Sequence, residues 1–137
     1  MKQLFILSVI GMMRRVLAAT VLLLGTSVVA HAATLASASI HGGPTQDSAF
    51  CYIFNAGTTP ITFVSKEIIK ESGTSLSLTF DNCSVLQPDE TCLFFTSIVN
   101  NKTHACKVRI NEKKTNVRGV LEIREGGATV LSNSEAR

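Results

Sequence analysis

The chain has no tryptophan, a single tyrosine and only three prolines, and it lacks any segment with the length and apolar periodicity of a stable helix. The one candidate, Lys66 to Glu71, is too short to hold a helix unaided. A Gly-rich phosphate loop and a nucleophile elbow are both missing, which excludes the commonest nucleotide-binding and serine-hydrolase arrangements. Cysteines never occur as C-x-x-C. Eight residues separate the nearest pair, so they build neither a zinc knuckle nor a thioredoxin-type redox centre. Asp47, Asp81, Asp89 and Glu90 lie at turn-like places where carboxylates are ordinary. His41, beside Gly42 and Gly43, reads as a solvated loop residue and not as a metal ligand. No catalytic, cofactor-binding or metal-binding set emerges, and the expectation is a protein that is not an enzyme and carries no cofactor.

What is present begins with an address. Lys2, Arg14 and Arg15 precede an apolar, small-residue run from Val16 to Ala30, followed by Ala30-His31-Ala32 before Ala33. This is the three-part layout of a secretory signal peptide, with cleavage expected after Ala32. The strictly apolar part is about 15 residues, short of the roughly 20 a spanning helix needs, which favours a removed leader over a membrane anchor. Met12 or Met13 followed by the paired arginines also makes a compact leader, so the start codon is open between them and Met1. The arginine pair lacks the polar and aromatic context of a twin-arginine signal, and ordinary export is the better reading. The expected organisation is a signal peptide over residues 1–32 and one domain over residues 33–137, in the periplasm or outside the cell.

Removing the leader takes Lys2, Arg14 and Arg15 with it and leaves ten basic against ten acidic residues. A nearly neutral body has no surplus of cations to neutralise phosphates, which argues against nucleic acid as a partner.

All four cysteines (Cys51, Cys83, Cys92, Cys106) lie beyond the leader, and an even count in an exported chain reads as two disulfides. Of three possible pairings, the favoured one joins Cys83 to Cys92 around a Pro-Asp-Glu turn and Cys51 to Cys106 between distant strands. On the chain-entropy account these closures stabilise by about 2.7 and about 4.2 kcal/mol respectively. A Cys106–His104 nucleophile pair, the basis of a small thiol enzyme or hydrolase, requires Cys106 to be free.

The rest is strand grammar. Thr34 to Ile40 reads as an edge strand. Ala49 to Asn55 reads as an inner strand, with Cys51 and Ile53 on one face and Phe50, Tyr52 and Phe54 on the other. Gly57 and Pro60 mark a turn in which Gly57 is free to take positive φ. Ile61 to Val64 opens the next strand, and Leu76, Leu78 and Phe80 alternate with Ser75, Ser77 and Thr79. Thr91 to Val99, Ala105 to Ile110 and Val117 to Arg124 complete the set, with Asn111 to Asn116 as a hairpin tip between the last two. About seven short strands with regular turn signals predict an all-β, two-sheet antiparallel sandwich of immunoglobulin-like type, stapled by two disulfides. Cys51 and Cys106 then fall on the second and sixth strands, the positions bridged between sheets in immunoglobulin domains, although no tryptophan is present to pack on the bridge.

The pattern Asn-x-Gly-x-x-Pro-Ile over Asn55 to Ile61, followed by Cys-x-x-Leu-x-Pro-x-x-x-Cys over Cys83 to Cys92, resembles the Hydin-like and major-sperm-protein-like immunoglobulin domains, including repeats of bacterial surface proteins. The chain is also similar to a group of small exported bacterial proteins of unassigned activity whose last strand reads Arg-Gly-x-Leu-x-Ile, here Arg118 to Ile123. The resemblance covers roughly Phe50 to Arg124 and implies a role in adhesion, assembly or scaffolding, with no catalytic residues. Two departures stand out: Asp89-Glu90 replaces the more usual glycine after the proline, and the domain stands alone, which weakens a scaffold role taken from multidomain relatives.

Charge is unevenly placed. Lys102 to Arg124 holds seven basic and two acidic residues, whereas residues 33–101 hold two basic and six acidic. If the last two strands form an edge hairpin, their outward side is basic. Lysines that blunt an exposed sheet edge are the plainer explanation. The sharper one is a docking face for an acidic partner, built on Lys107, Arg109, Lys113 and Lys114. The leading functional expectation is a non-enzymatic envelope protein that binds another envelope protein, an anionic polysaccharide or anionic lipid. The alternative is a surface-fibre or pilus-type subunit assembled by strand donation.

Overall fold

The computed structural model describes residues 32–137, so the expected leader lies outside the described residues apart from Ala32. Ten strands follow in order: β1 (Ala33–Ala36), β2 (Ser48–Asn55), β3 (Ile61–Lys70), β4 (Ser75–Leu76), β5 (Phe80–Asp81), β6 (Val85–Leu86), β7 (Thr91–Ser97), β8 (His104–Ile110), β9 (Val117–Glu125) and β10 (Thr129–Ala136). A single 3-10 turn, Lys114–Asn116, precedes β9. The first sheet runs β1-β8-β3-β4, with β6 also on β3; the second runs β10-β9-β2-β7-β5. Every pairing is antiparallel.

The architecture is the expected all-β sandwich, with Cys51–Cys106 and Cys83–Cys92 both formed and no free cysteine among the described residues. Period-two alternation fixes which side of each strand is covered. Ala49, Cys51 and Ile53 of β2, Phe94 of β7 and Leu121 and Ile123 of β9 face Cys106, Val108 and Ile110 of β8 and Ile61 and Ile68 of β3 across a shared apolar interior. The Cys51–Cys106 bridge joins two inner strands of opposite sheets, with Cα atoms 6.1 Å apart.

Three expectations are corrected. Residues 105–124 are not an edge hairpin: β8 lies between β1 and β3, β9 lies between β10 and β2, and Asn111 to Asn116 carries the chain from one sheet to the other. The inward residues of both strands are needed on opposite sides of the same core, and a hairpin places them in one sheet. The alternating stretch Ser75 to Phe80 is likewise not one strand. Ser75 and Leu76 pair with β3, whereas Phe80 and Asp81 pair with β7, so the segment switches sheets between them. β10 has no counterpart in the sequence reading because its polar Thr-Val-Leu-Ser-Asn-Ser-Glu-Ala buries only Ala136; backbone pairing with β9 holds it. Splitting Ser75 to Phe80 and adding β10 and the two-residue β6 (Val85–Leu86), which pairs with β3, raise the count from seven to ten.

The turn motifs have identifiable physical roles. Buried Asn55 donates through Nδ2 to the carbonyls of Thr59 and Leu86 and accepts from the Gly57 amide, closing the β2–β3 turn and tying it to β6. Gly57 is not left-handed. It is needed for closeness, since a Cβ there lies 3.1 Å from Asn116 Cβ and from Asn55 Oδ1. Asp89, standing where glycine is more usual, takes φ of 61° after Pro88, and the Glu90 amide donates to the Gln87 carbonyl, as in a type II turn. Aspartate tolerates this region better than most side chains, at a cost of about 1 kcal/mol.

Replacing both Cys51 and Cys106 by alanine is expected to lower unfolding free energy by about 4 kcal/mol, and replacing Cys83 and Cys92 by about 3 kcal/mol, because the first pair closes the longer loop. Urea titration of the two double variants checks both the loss and its order.

Candidate functional site

Lys107 and Arg109 project from the outer face of the first sheet, half-buried and exposed respectively, on an inner strand. Edge protection therefore does not explain them, since β8 has neighbours on both sides. Lys107 lies opposite Ala36 and Glu67, and Arg109 lies opposite Thr34 and Ser65. Lys113 and Lys114 are exposed in the crossover between β8 and β9. That crossover is anchored at both ends: Asn111 Oδ1 accepts from the Thr62 amide, and the Asn116 carbonyl accepts from the Ala56 amide.

Three concavities surround the crossover. The largest, about 620 Å³, is lined by Lys114, Thr115, Arg118, Glu135 and Arg137 around Val117, Gly119, Val120 and Ala136. A shallower one of about 340 Å³ lies between Lys113, Lys114 and Thr115 and the start of β1 at Ala32, Ala33 and Thr34. A third, about 190 Å³, opens between the crossover and the β2–β3 turn and includes Glu112. The β1–β8 register places Thr34 beside Arg109, so Arg109, Lys113 and Lys114 gather at one end of the sandwich and Arg118 extends the strip into the larger groove. Lys107 lies one pleat away, next to Glu67, and belongs less closely to the group. Arg137 was not among the sequence candidates; β10, which delivers it, is the strand that the apolar pattern does not reveal.

Among the described residues four basic side chains form salt bridges and the others, Lys70 at the far end of β3 among them, do not. Lys66, Lys102, Arg124 and Arg137 are paired with Asp81, Glu71, Glu122 and Glu135. Lys107, Arg109, Lys113 and Lys114 make no salt bridge. Arg118 spends its guanidinium on the carbonyls of Thr115 and Val117.

The outer face of the second sheet carries an aromatic row assembled from three strands. Phe80, Phe95 and Phe50 sit side by side on β5, β7 and β2 in register, with ring centroids 5.7 and 4.7 Å apart, and Tyr52 continues the row 6.3 Å from Phe50. Arg124 closes it. Its guanidinium lies 4.5 Å from the Phe50 ring centroid and donates to the Tyr52 hydroxyl and to Glu122. Each cross-strand aromatic pair is worth about 0.5–1.5 kcal/mol beyond area burial. Arg124 is thus committed to this row and unavailable to the basic end. Alternation along β2 already exposed Phe50 and Tyr52 as a second apolar face; what was hidden is that β7 and β5 bring Phe95 and Phe80 to the same rows.

The thiol-enzyme arrangement is not assembled, because Cys106 is bonded to Cys51. His104 is buried at 1% exposure, and its Nδ1 has no hydrogen-bond partner. It borders a concavity of about 290 Å³ with Lys70, Glu71, Leu76, Ile98 and Lys102. Buried Gln46 holds the loop beneath, donating to the carbonyls of Val99 and Lys102 and accepting from the Gly42 amide. Among the described residues no group of three His, Cys, Asp or Glu side chains is placed to hold a metal ion, and no helix is long and apolar enough to cross a membrane.

Burial holds the His104 imidazole below its ordinary value, against the opposing pull of the Lys102 carbonyl and the Glu71 charge, while His41 adds to the depression. The folded protein therefore resists a proton that the unfolded chain accepts near pH 6.5. Stability is full above that value and falls as the pH drops below it, ahead of the losses from Glu71 and Asp47, whose carboxyls are held below their ordinary values of 4.5 and 3.8. His104→Gln is expected to flatten the curve between about pH 6.5 and 5; denaturant midpoints of both proteins across that range measure it.

Against known proteins, the chain matches no family model, no curated protein and no solved structure.

Proposed function

We propose that this chain is an exported, non-enzymatic β-sandwich that binds anionic polysaccharide of the bacterial cell envelope through the basic end of the sandwich. The observation that carries this reading is that Lys107, Arg109, Lys113 and Lys114 make no salt bridge, while Lys114 lines a groove of about 620 Å³ and, with Lys113, an adjoining concavity of about 340 Å³. Unpaired, solvated cations keep their charge for an incoming polyanion, and a concave approach focuses their field. A groove suits a chain-like partner better than a flat bilayer. Two disulfides are compatible with the oxidising compartment to which the leader directs the chain.

A second reading, assembly by strand addition, has one observation in its favour. β10 is an eight-residue edge strand, and its outer side meets another strand only where Ala136 bridges to Ser37. A polar, bulged edge is a poor acceptor, which ranks this reading second.

Neutralising Lys107, Arg109, Lys113 and Lys114 to glutamine is expected to weaken binding to dextran sulfate by about 10²-fold or more in low salt and to flatten its salt dependence. Binding unchanged by the four substitutions counts against the basic end, and a preference for anionic vesicles over dextran sulfate moves the partner class to lipid. Sedimentation of the same preparations tests the second reading: chains of more than one subunit support strand addition, and a monomer at all concentrations removes it.

A further inference from the structure

Ala33, the residue after the expected cleavage site, is not part of a trailing segment. It opens β1 and is registered opposite Ile110, the last residue of β8, while Thr34 is registered opposite Arg109. The start of β1 also packs near the 3-10 turn Lys114–Asn116. Around the concavity of about 340 Å³ at this corner stand Ala32, Ala33 and Thr34 on one side and Lys113, Lys114 and Thr115 on the other; Ala32 leaves with the leader, so Ala33 and Thr34 form the first side in the processed chain. Its lining includes two cations and no carboxylate, although Glu112 lies in the neighbouring concavity with Lys113. Lys114 and Thr115 line the larger groove as well, so the two concavities adjoin.

We propose that removal of the leader completes this anion-binding site, because hydrolysis after Ala32 sets the α-ammonium of Ala33 beside Lys113 and Lys114 as a third cation for an anionic polysaccharide. The inference rests on the function proposed above. Cleavage breaks the Ala32–Ala33 peptide bond: water supplies the hydroxyl that makes the Ala32 carboxylate, and the released Ala33 nitrogen leaves as an amine and takes a proton from solvent. In the unprocessed chain the same nitrogen is a neutral amide. Its position is fixed by strand pairing, so the new charge is delivered to the site and does not swing in solvent. Processing then adds affinity at the step that also frees the protein from its leader, and the unprocessed form is the weaker binder.

An α-amine titrates at about 7.7–8.0, whereas lysines stay charged to about 10.4, and this gap separates their contributions. Neighbouring cations push the amine down and a bound polyanion pulls it up, so binding through it fades between about pH 7 and 9 while binding through lysine persists.

The test uses protein recovered after export, with mass spectrometry establishing Ala33 as its first residue. One portion is left native and the other is transaminated at the α-amine, which turns that nitrogen into a ketone oxygen and spares the lysines. Dextran sulfate is titrated into both at pH 7 and pH 9 over a range of salt. The expected result is about threefold to tenfold weaker binding by the transaminated form at pH 7 in low salt, a slope of log K against log salt shallower by about one, and convergence of the two forms at pH 9. Equal affinity of both forms at pH 7 overturns the inference while leaving the basic end intact, as does a first residue other than Ala33. Absence of binding by either form removes the function proposed above together with the inference.

Discussion

The bridge between Cys51 and Cys106 ties the middle of one sheet to the middle of the other, and the rest of the interior is packed with reference to it. β2 and β8 each have strands on both sides, so fixing the distance between them sets the separation of whole sheets and not of two edges. The 6.1 Å between the two Cα atoms is much less than the roughly 10 Å typical of stacked sheets. Phe94, Ile53, Leu121 and Val108 fill the space around that close point. A body of this size buries a modest share of its surface, and covalent closure of a long loop offsets chain entropy that the core alone offsets less well. The second bridge has a local task. It holds the β5–β6 connection against β7 while Lys66 reaches across to Asp81 and the Cys83 carbonyl on the same side.

Much of this was legible in the amino-acid order because the physics involved is local. Alternation of period two marked out β2, β8 and β9, and an even cysteine count in a chain with an expected export leader pointed to both bridges. What was not legible depends on which strands become neighbours. Val117 to Glu125 reads identically whether it pairs back on β8 or crosses to β2, since either partner satisfies its backbone and covers Leu121 and Ile123. Ser75 to Phe80 alternates cleanly, yet its two ends serve different sheets. β10 is invisible to any apolar pattern because its partners are backbone groups.

The same distinction runs through the candidate site. Lys107, Arg109, Lys113 and Lys114 were found from charge density along the chain, a one-dimensional signal, and three of them do converge on one end. Arg124 belonged to the same dense stretch, but β2 and β7 draw it into the aromatic row on the opposite sheet. Lys102 is diverted in the same way to Glu71. Sequence counts cations; the fold decides which of them are free.

The crossover from Asn111 to Asn116 separates two tasks that are fused in most short connections. Its end residues are fastened to β3 and to the β2–β3 turn, while Glu112, Lys113, Lys114 and Thr115 between them contribute nothing to the buried interior. Those four positions are therefore an interchangeable cassette: drift there retunes what the surface attracts without disturbing either layer, and a foreign tetrapeptide placed between the two asparagines inherits a rigid frame.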